Sequence, residues 1–414
     1  MGKSTAASAA TEATVSAVTA LSAAAGATGT TAAGAGGGGW RRGAGVAGAA
    51  IGVIAAGAAA GVALERLTVS RSVRRKARLA LDATAPFGTL RGTPGYAIAD
   101  DGTELYYEVD EAAAEPPAPS LATRLTGRRR PPAPVTVVFS HGYCLAQDSW
   151  HFQRAALRGT VRAVYWDQRS HARSERGRAQ RDSGATVTID QLGRDLKAVI
   201  EAAAPEGPLV LVGHSMGGMT VMALAAHDPE LVRERVAAVA LVATSAGRLA
   251  EVSFGLPAAG VKAARRMLPG LLRTLGAQAE LVERGRRATA DLFAGLVKRY
   301  SFGSKEVDPG VARFAERLIE ATPIDVVAEF YPAFVEHEKS AALPVFDGLP
   351  VLVLGGEKDL ITPSSHSEAI AEALPDAELV IAPGAGHLVM LEQPELVNAH
   401  IAELLAQVGA GAGG

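Results

Sequence analysis

Short apolar runs rich in β-branched residues alternate with segments of helical periodicity from about residue 92 to residue 408. The apolar runs cover residues 103–109, 135–140, 161–166, 209–213, 236–242, 351–354 and 378–381. The helical segments cover residues 189–204, 216–227, 365–374 and 394–407, the first with Asp190 as its expected N-cap. Near-continuous apolar runs of this length are typical of strands that are covered on both faces. Strands that alternate with helices predict βαβ units, and therefore an α/β fold with a doubly wound, mostly parallel sheet.

One long stretch, residues 246–343, interrupts this alternation. It contains no apolar run typical of a strand, and its pattern is helical, for example at residues 261–268 and 311–319. We therefore expect residues 92–245 and 344–408 to form the core, with 246–343 as a helical cap inserted after the sixth strand. Such a cap would project from the carboxyl edge of the sheet, where open α/β sheets bind their ligands.

The N-terminal part of the chain has a different composition. Residues 1–42 are almost entirely Ala, Gly, Ser and Thr, too poor in bulky apolar side chains to offset the entropy of ordering, and we expect them to be disordered. Residues 43–64 carry no charge over 22 positions, which is long enough to cross a bilayer as a helix. Glycine pairs at 48/52 and 57/61 have the small-xxx-small spacing of membrane helices that pack closely.

Basic residues flank the uncharged run and indicate an orientation. Arg41 and Arg42 precede it, and the basic linker 65–91 follows with more arginines. By the positive-inside rule, the run would be a single-pass transmembrane helix at the cell membrane with the C-terminal bulk of the chain in the cytoplasm. The alternative is an Ala/Gly-rich linker in a cytoplasmic protein.

Composition and charge exclude several classes of function. The 414-residue chain has 41 Lys+Arg against 43 Asp+Glu, a net charge of −2, so we expect no nucleic-acid partner. The single cysteine, Cys144, excludes an intramolecular disulfide and any multi-thiolate metal site. Because the chain also lacks a His-Glu-x-x-His motif, a P-loop and a dinucleotide fingerprint, we expect neither metal nor cofactor.

The strongest chemical signal is the sequence Gly213-His-Ser215-Met-Gly217, which follows a predicted strand and precedes a predicted helix. This is the context in which G-x-S-x-G forms a sharp, strained turn that exposes the serine hydroxyl. A Cβ at either glycine would collide with neighbouring backbone. Ser215 is therefore the candidate nucleophile, while His214 beside it is expected to be structural or to contact the substrate.

A serine nucleophile needs a base and an acid that orients the base. His387 lies in a Gly-Ala-Gly-His-Leu loop after the last predicted strand, and Asp359 lies in the loop after the preceding strand. All three candidates follow strands at one edge of the sheet, so they can converge in space. We therefore predict a Ser215–Asp359–His387 triad.

The oxyanion formed on attack requires two backbone donors. We expect one to be the N–H of Met216 and the other the N–H of Tyr143, which follows His141-Gly142 after the third predicted strand. His141 and Gly142 are expected at the substrate-binding face of the site. Cys144 has no base beside it in sequence and is interpreted as pocket lining rather than as a nucleophile.

On these motifs, residues 92–408 resemble the α/β-hydrolase fold superfamily, and in particular serine esterases and lipases with a helical cap. The resemblance implies an eight-stranded sheet, the triad order Ser-Asp-His and the oxyanion donors named above. The family loop Asp-x-Arg-Gly-His-Gly-x-Ser appears here as 167–174, with Ser170 and Ala172 in place of glycines. Serine at residue 215 disfavours the dehalogenases and epoxide hydrolases of this fold, which use aspartate there.

The sequence therefore predicts a hydrolase that cleaves a small-molecule carboxylic ester through an acyl-enzyme, without a cofactor. The Ala/Leu-rich cap is consistent with an apolar acyl group, although cap helices need apolar faces to fold in any case. One alternative is cofactor-free haloperoxidase-like or carbon–carbon bond hydrolase chemistry on the same triad. The other is a catalytically idle, membrane-tethered binding protein.

Overall fold

The structure, a computed structural model, describes residues 86–113, 134–249 and 290–411, with the single positions 252 and 270. The chain divides into two compact units. One comprises residues 1–76 and 253–296, of which position 270 and residues 290–296 are described. The other comprises residues 77–252 and 297–414 and contains the whole sheet.

The second unit is built on an eight-stranded sheet with the strand order β1-β2-β4-β3-β5-β6-β7-β8. The strands are β1 Thr93–Ile98, β2 Glu104–Asp110, β3 Thr136–Ser140, β4 Arg162–Trp166, β5 Leu209–His214, β6 Val236–Val242, β7 Val351–Gly356 and β8 Glu378–Ala382. Strands β3 to β8 pair in parallel, while β2 runs antiparallel to β1 and to β4. The prediction of a mostly parallel α/β sheet is thus confirmed, and its seven predicted strands correspond to β2 through β8.

Strand β1 was not predicted from the sequence, because Pro94 and Gly95 interrupt its apolar pattern and most of its residues are exposed. The reason for the glycine is visible in the fold: a Cβ at Gly95 would lie 2.4 Å from the ring of Tyr107 on β2. Because β1 is the edge strand, it need not be apolar on both faces. It therefore lacks the near-continuous apolar run that identifies the central strands.

The described α-helices lie between and after these strands in the chain. They are α1 His151–Leu157, α2 Arg178–Ser183, α3 Ile189–Ala203, α4 Met216–His227, α5 Pro229–Arg235, α6 Ala290–Ser301, α7 Pro309–Ala321, α8 Ile324–Val335, α9 Ser364–Ala373, α10 Val389–Glu392 and α11 Pro394–Gly411. The N-cap of α3 is Thr188, whose hydroxyl accepts a hydrogen bond from the Gln191 N–H, and Asp190 lies in the first turn. The expected cap at Asp190 is therefore wrong by two residues. Between β6 and β7, the described residues form helices α6–α8 and a 3-10 helix at Ser340–Phe346, without a strand.

The parallel pairing sets the position of the site. Ser140 pairs with Gly213, and His214 pairs with Val242, so β3, β5 and β6 end together at one edge. Strands β7 and β8 continue the same parallel order. The loops that follow these strands consequently share one rim of the sheet, which is where parallel α/β sheets place their ligands.

Several predictions fall on residues outside the described parts of the chain. These are the disorder of residues 1–42, the membrane span at 43–64, most of the basic linker 65–91, and cap residues 250–289 apart from two positions. Within the described parts, no helix combines the length and apolar character needed to cross a bilayer. The membrane span stays a prediction from the sequence.

Candidate active site

Ser215 occupies the turn between β5 and α4 in a backbone conformation that serine rarely adopts, with φ 51° and ψ −117°. Two glycines make the turn possible. A Cβ at Gly213 would lie 2.4 Å from the carbonyl oxygen of Gly217, and one at Gly217 would lie 2.1 Å from the carbonyl oxygen of Ser140. The turn is therefore packed backbone against backbone, and it holds the serine side chain at the start of helix α4.

His387 and Asp359 lie beside this serine, as their positions after β8 and β7 require. His387 Nε2 is 2.9 Å from Ser215 Oγ, and His387 Nδ1 is 2.8 Å from Asp359 Oδ2. All three residues are at least nine-tenths buried. The structure thus brings the three predicted side chains together in one hydrogen-bonded line in a site largely closed to solvent.

The Asp359 carboxylate is held in its ionised form by its surroundings. Its Oδ1 accepts hydrogen bonds from the N–H groups of Ile361 at 2.7 Å and Thr362 at 2.9 Å. Burial by itself raises the pKa of Asp359, but the adjacent His387 and these N–H donors outweigh burial and leave the pKa below its usual value. A carboxylate that is charged and fixed in this way can hold the imidazole with its proton on Nδ1 and its Nε2 lone pair toward the serine.

The backbone donors predicted for the oxyanion belong to the residue after Ser215 and to the loop that follows β3. Within the described part of the chain, neither the Met216 N–H nor the Tyr143 N–H has a hydrogen-bond acceptor. The loop that carries Tyr143 approaches the serine closely, since a Cβ at Gly142 would lie 3.2 Å from Ser215 Cβ and 2.6 Å from His214 Nδ1. Glycine at this position therefore permits the close approach of the loop that carries Tyr143 to the serine turn.

His141 and His214 are completely buried, and internal hydrogen bonds use their rings. His141 Nδ1 donates to the Gly142 carbonyl at 2.7 Å, and its Nε2 accepts from the Gln168 N–H at 2.9 Å. His214 Nε2 donates to the His387 carbonyl at 2.9 Å. Burial lowers the pKa of both rings, that of His214 to about 3, so both are neutral. Within the described part of the chain, His214 Nδ1 has no hydrogen-bond partner, whereas both nitrogens of His141 are bonded. That these two side chains contact substrate stays a prediction from the sequence.

The loop at 167–174 has left-handed backbone conformations at the two positions where the family has glycines, although this chain has serine and alanine there. Ser170 and Ala172 have φ values of 64° and 45°, in the region that glycine favours. This conformation lets His171 connect two loops: its Nδ1 donates to the Arg169 carbonyl at 2.9 Å, and its Nε2 accepts from the Cys144 N–H at 3.2 Å. Burial lowers the pKa of His171 to about 4, which preserves the neutral ring that this bonding requires.

Ala172→Gly is expected to raise the free energy of unfolding by about 0.5–1 kcal/mol, because it removes the cost of a Cβ in the left-handed region. Ser170 is a less favourable target, since its hydroxyl accepts the Gly177 N–H at 3.2 Å. Urea denaturation measures the change. The matched control is Ala155→Gly at an exposed position in helix α1, which should destabilise by about 1 kcal/mol. An equal loss at both positions would contradict the assignment of strain to Ala172.

Helix α8 packs its apolar side chains against Tyr143, a contact that the sequence did not identify. The Tyr143 ring lies 4.9 Å from that of Phe334 and 6.0 Å from that of Phe330, and its hydroxyl donates to the Val327 carbonyl. Met216 belongs to the same cluster of buried apolar side chains. Arg176 also holds α8, through ion pairs with its first two turns that include Glu329 at 2.7 Å. Arg176 is one of several arginines between residues 169 and 181, and nothing in the sequence distinguishes it from its solvated neighbours.

Comparison with known proteins agrees with this architecture. The sequence profile described as alpha/beta hydrolase fold matches residues 135–394, more than half of the chain. The chain is 29% identical over 281 residues to the putative non-heme bromoperoxidase BpoC of Mycobacterium tuberculosis, covering 66% of this chain and 95% of the relative. It is 27% identical over 282 residues to the sn-1-specific diacylglycerol lipase ABHD11 of Mus musculus, covering 67% and 82%.

Solved structures show the same fold. The thermophilic esterase from Thermogutta terrifontis superposes with a TM-score of 0.56 at 24% identity, covering 76% of this chain and 98% of that one. The enol-lactonase from Burkholderia xenovorans LB400 superposes with a TM-score of 0.54 at 22% identity, covering 75% and 100%. With its eight-stranded sheet, its serine turn and this match over most of the core, the chain is a hydrolase that belongs to the α/β-hydrolase fold family.

Proposed function

We propose that this protein is a serine hydrolase that cleaves carboxylic esters through an acyl-enzyme intermediate. The observation that carries the proposal is the continuous line from Ser215 Oγ through His387 to Asp359, with contacts of 2.9 Å and 2.8 Å. A serine hydroxyl is a weak nucleophile at neutral pH, and this arrangement supplies both the base and the group that orients it.

Each residue has a definite part in the proposed reaction. Ser215 Oγ attacks the ester carbonyl carbon while His387 Nε2 accepts the hydroxyl proton, and Asp359 stabilises the resulting imidazolium. The oxyanion accepts hydrogen bonds from the N–H groups of Met216 and Tyr143. His387 then donates its proton to the leaving alcohol, which departs as the carbon–oxygen bond breaks. A water molecule repeats the sequence on the acyl-enzyme and releases the carboxylic acid.

The surroundings of Ser215 support an ester with an apolar acyl group. Met216, the residue that follows the serine, belongs to one apolar cluster with Phe330, and Phe334 packs against that cluster. Aromatic and thioether side chains bind alkyl or aryl groups through apolar area and offer no partner for a charged acyl chain. The esterase and lipase named among the similar proteins are in keeping with this class of substrate.

The test is reaction of the wild-type protein with a fluorophosphonate, followed by peptide mapping, together with hydrolysis of p-nitrophenyl esters of graded acyl length. We expect the label on Ser215 and measurable turnover of apolar acyl esters. Labelling of a different residue would overturn the assignment of the nucleophile. Absence of both labelling and turnover would favour the alternative of a catalytically idle binding protein.

A second activity on the same residues is favoured by one comparison, the similarity to a relative whose name is putative non-heme bromoperoxidase. Hydrogen peroxide would then replace water in attacking the acyl-enzyme, which yields a peracid, and the peracid would oxidise bromide to hypobromite. Bromide oxidation in acetate buffer with hydrogen peroxide, compared with ester hydrolysis by the same preparation, distinguishes the two. We expect ester hydrolysis to be the faster reaction.

We also propose that residues 43–64 attach the chain to the membrane, with the hydrolase unit on the cytoplasmic side. The support is the uncharged 22-residue run with basic flanks. We expect the full-length protein in the membrane fraction and a variant that lacks residues 1–80 in the soluble fraction. Full-length protein that stays in the supernatant after ultracentrifugation would contradict the proposal.

A further inference from the structure

Glu392 binds three backbone N–H groups on two different segments near His387. Its Oε2 accepts from the N–H of Gly386 at 2.7 Å and of Gly303 at 3.0 Å, and its Oε1 accepts from the N–H of Ser304 at 2.7 Å. Gly386 is the residue immediately before His387, whereas Gly303 and Ser304 follow the end of helix α6. One carboxylate thus joins the histidine loop to the turn at residues 301–304.

The two segments lie in direct backbone contact, so there is no room for side chains between them. A Cβ at Gly303 would lie 2.2 Å from the Gly384 carbonyl oxygen, and one at Gly386 would lie 2.5 Å from the Gly303 nitrogen. The Leu388 N–H donates to the Ser301 carbonyl at 2.8 Å. The residues on both sides of His387 are therefore attached to the 301–304 turn. Gly386 is attached through the Glu392 carboxylate, and Leu388 is attached by a direct backbone hydrogen bond.

The remaining freedom of His387 is limited from the core side. His214 Nε2 donates to the His387 carbonyl at 2.9 Å, and the two rings have centroids 4.9 Å apart. One backbone group at each of residues 386, 387 and 388 is thus engaged: the N–H of Gly386, the carbonyl of His387 and the N–H of Leu388. Two of these three attachments use side chains, those of Glu392 and His214. His214 belongs to the serine turn, whereas Glu392 can be substituted without altering that turn.

We propose that Glu392 is a positioning residue for His387, and that it keeps the imidazole in line with Ser215 by fastening the histidine loop to the 301–304 turn. The proposal rests on the proposed serine hydrolase function. A carboxylate suits this place because it accepts at both oxygens, and charge-assisted hydrogen bonds are stronger than neutral ones. In Glu392→Gln, the amide N–H₂ must face at least one of the three N–H donors, so at least one hydrogen bond is replaced by a repulsive contact and the remaining ones lose their charge assistance, which loosens the joint between the two segments.

Movement of the imidazole should affect the chemical step and leave substrate binding nearly unchanged. Misplacement of a reacting group by about 1 Å costs about 10²-fold in rate. For Glu392→Gln we expect kcat to fall by about 10–100-fold with KM within about twofold of the wild type. Glu392→Asp keeps the charge on a shorter side chain, and we expect a smaller loss of kcat in the same direction.

The experiment combines kinetics with amide hydrogen exchange of the full-length protein, with p-nitrophenyl butyrate as the substrate. In Glu392→Gln, peptides that contain residues 301–304 and 384–388 should exchange faster, while peptides from β5 and α4 should be unchanged. The matched control is Glu395→Gln, an exposed glutamate three residues further on, which should leave both kcat and exchange unaltered.

The outcomes separate this inference from the proposed function. If the wild type hydrolyses esters and both Glu392 variants keep wild-type kcat, the positioning role is overturned and the hydrolase function stands. If exchange accelerates throughout the protein and KM rises together with the loss of kcat, Glu392 has only a general structural role. If the wild type neither hydrolyses esters nor reacts with a fluorophosphonate, the function and the positioning role both fail.

Discussion

Ser215→Ala is expected to lower kcat for ester hydrolysis by about 10⁵–10⁶-fold and to abolish fluorophosphonate labelling. Loss of the nucleophile removes the covalent route entirely, and in serine hydrolases the three residues act as a unit, so one deletion costs nearly as much as all three. The residual rate would come from oxyanion binding and substrate positioning. Steady-state kinetics on the best ester of the acyl series measures the loss.

The fold of Ser215→Ala should remain intact, because the backbone contacts at the turn do not use the hydroxyl. The Ser215 carbonyl accepts from the Thr244 hydroxyl, and the Ser215 N–H donates to the Val242 carbonyl at 2.9 Å. Ser183→Ala, at an exposed position at the end of helix α2, is the matched control and should leave kcat unchanged. A Ser215→Ala protein with native circular dichroism and more than about a tenth of wild-type kcat would be incompatible with the proposed mechanism.

The elements around Ser215 could be predicted because their signals are local. The glycines of the turn, the apolar strands before it, and the loops that hold Asp359 and His387 are all recognisable within about ten residues. Parallel pairing then brings the strand ends to one rim without further information. The contacts of 2.9 Å and 2.8 Å along the serine–histidine–aspartate line follow from the order of β5, β7 and β8 in the sheet.

Features that depend on tertiary partners could not be predicted in the same way. Glu392 is one of many helical glutamates in the sequence, and only the approach of the 301–304 turn supplies its three donors. The positive φ at Ala172 is likewise imposed by contacts of the loop and opposes the preference of alanine. The burial of the His141 and His214 rings also depends on neighbours far away in sequence. The loops that carry the candidate residues are therefore predictable from local sequence, whereas the enclosure of these two rings is not.

The buried histidines have a large expected effect on stability in acid. Burial lowers the pKa of four of them: His141 to well below its usual value, His171 and His337 to about 4, and His214 to about 3. In the unfolded chain each would titrate near pH 6.5. Below pH 6.5 the unfolded state binds protons at these histidines, whereas the folded state does not. The free energy of unfolding therefore decreases as the pH falls below 6.5.

Two buried carboxyls oppose this effect. Burial raises the pKa of Asp167 and of Asp195 to about 6, so below that pH the folded state binds protons there that the unfolded state lacks. The four histidines outnumber these two carboxyls, so at these groups unfolding in acid takes up protons on balance. We therefore expect the free energy of unfolding to fall between pH 6.5 and pH 4.5, by an amount on the order of a few kcal/mol. Urea denaturation at a series of pH values measures this slope.

His337→Gln removes the contribution of one buried histidine to the slope of the free energy of unfolding against pH. The His337 Nε2–H donates to the Ser245 carbonyl at 2.8 Å, and a glutamine amide can replace that bond without a group that titrates in this range. The slope should then decrease by about 1.4 kcal/mol per pH unit. His227→Gln is the control, because this histidine is 41% exposed and paired with Asp190 at the surface, and it should leave the slope nearly unchanged. Equal slopes in the wild type and His337→Gln would show that the folded protein admits a proton at His337, and that acid sensitivity has another origin.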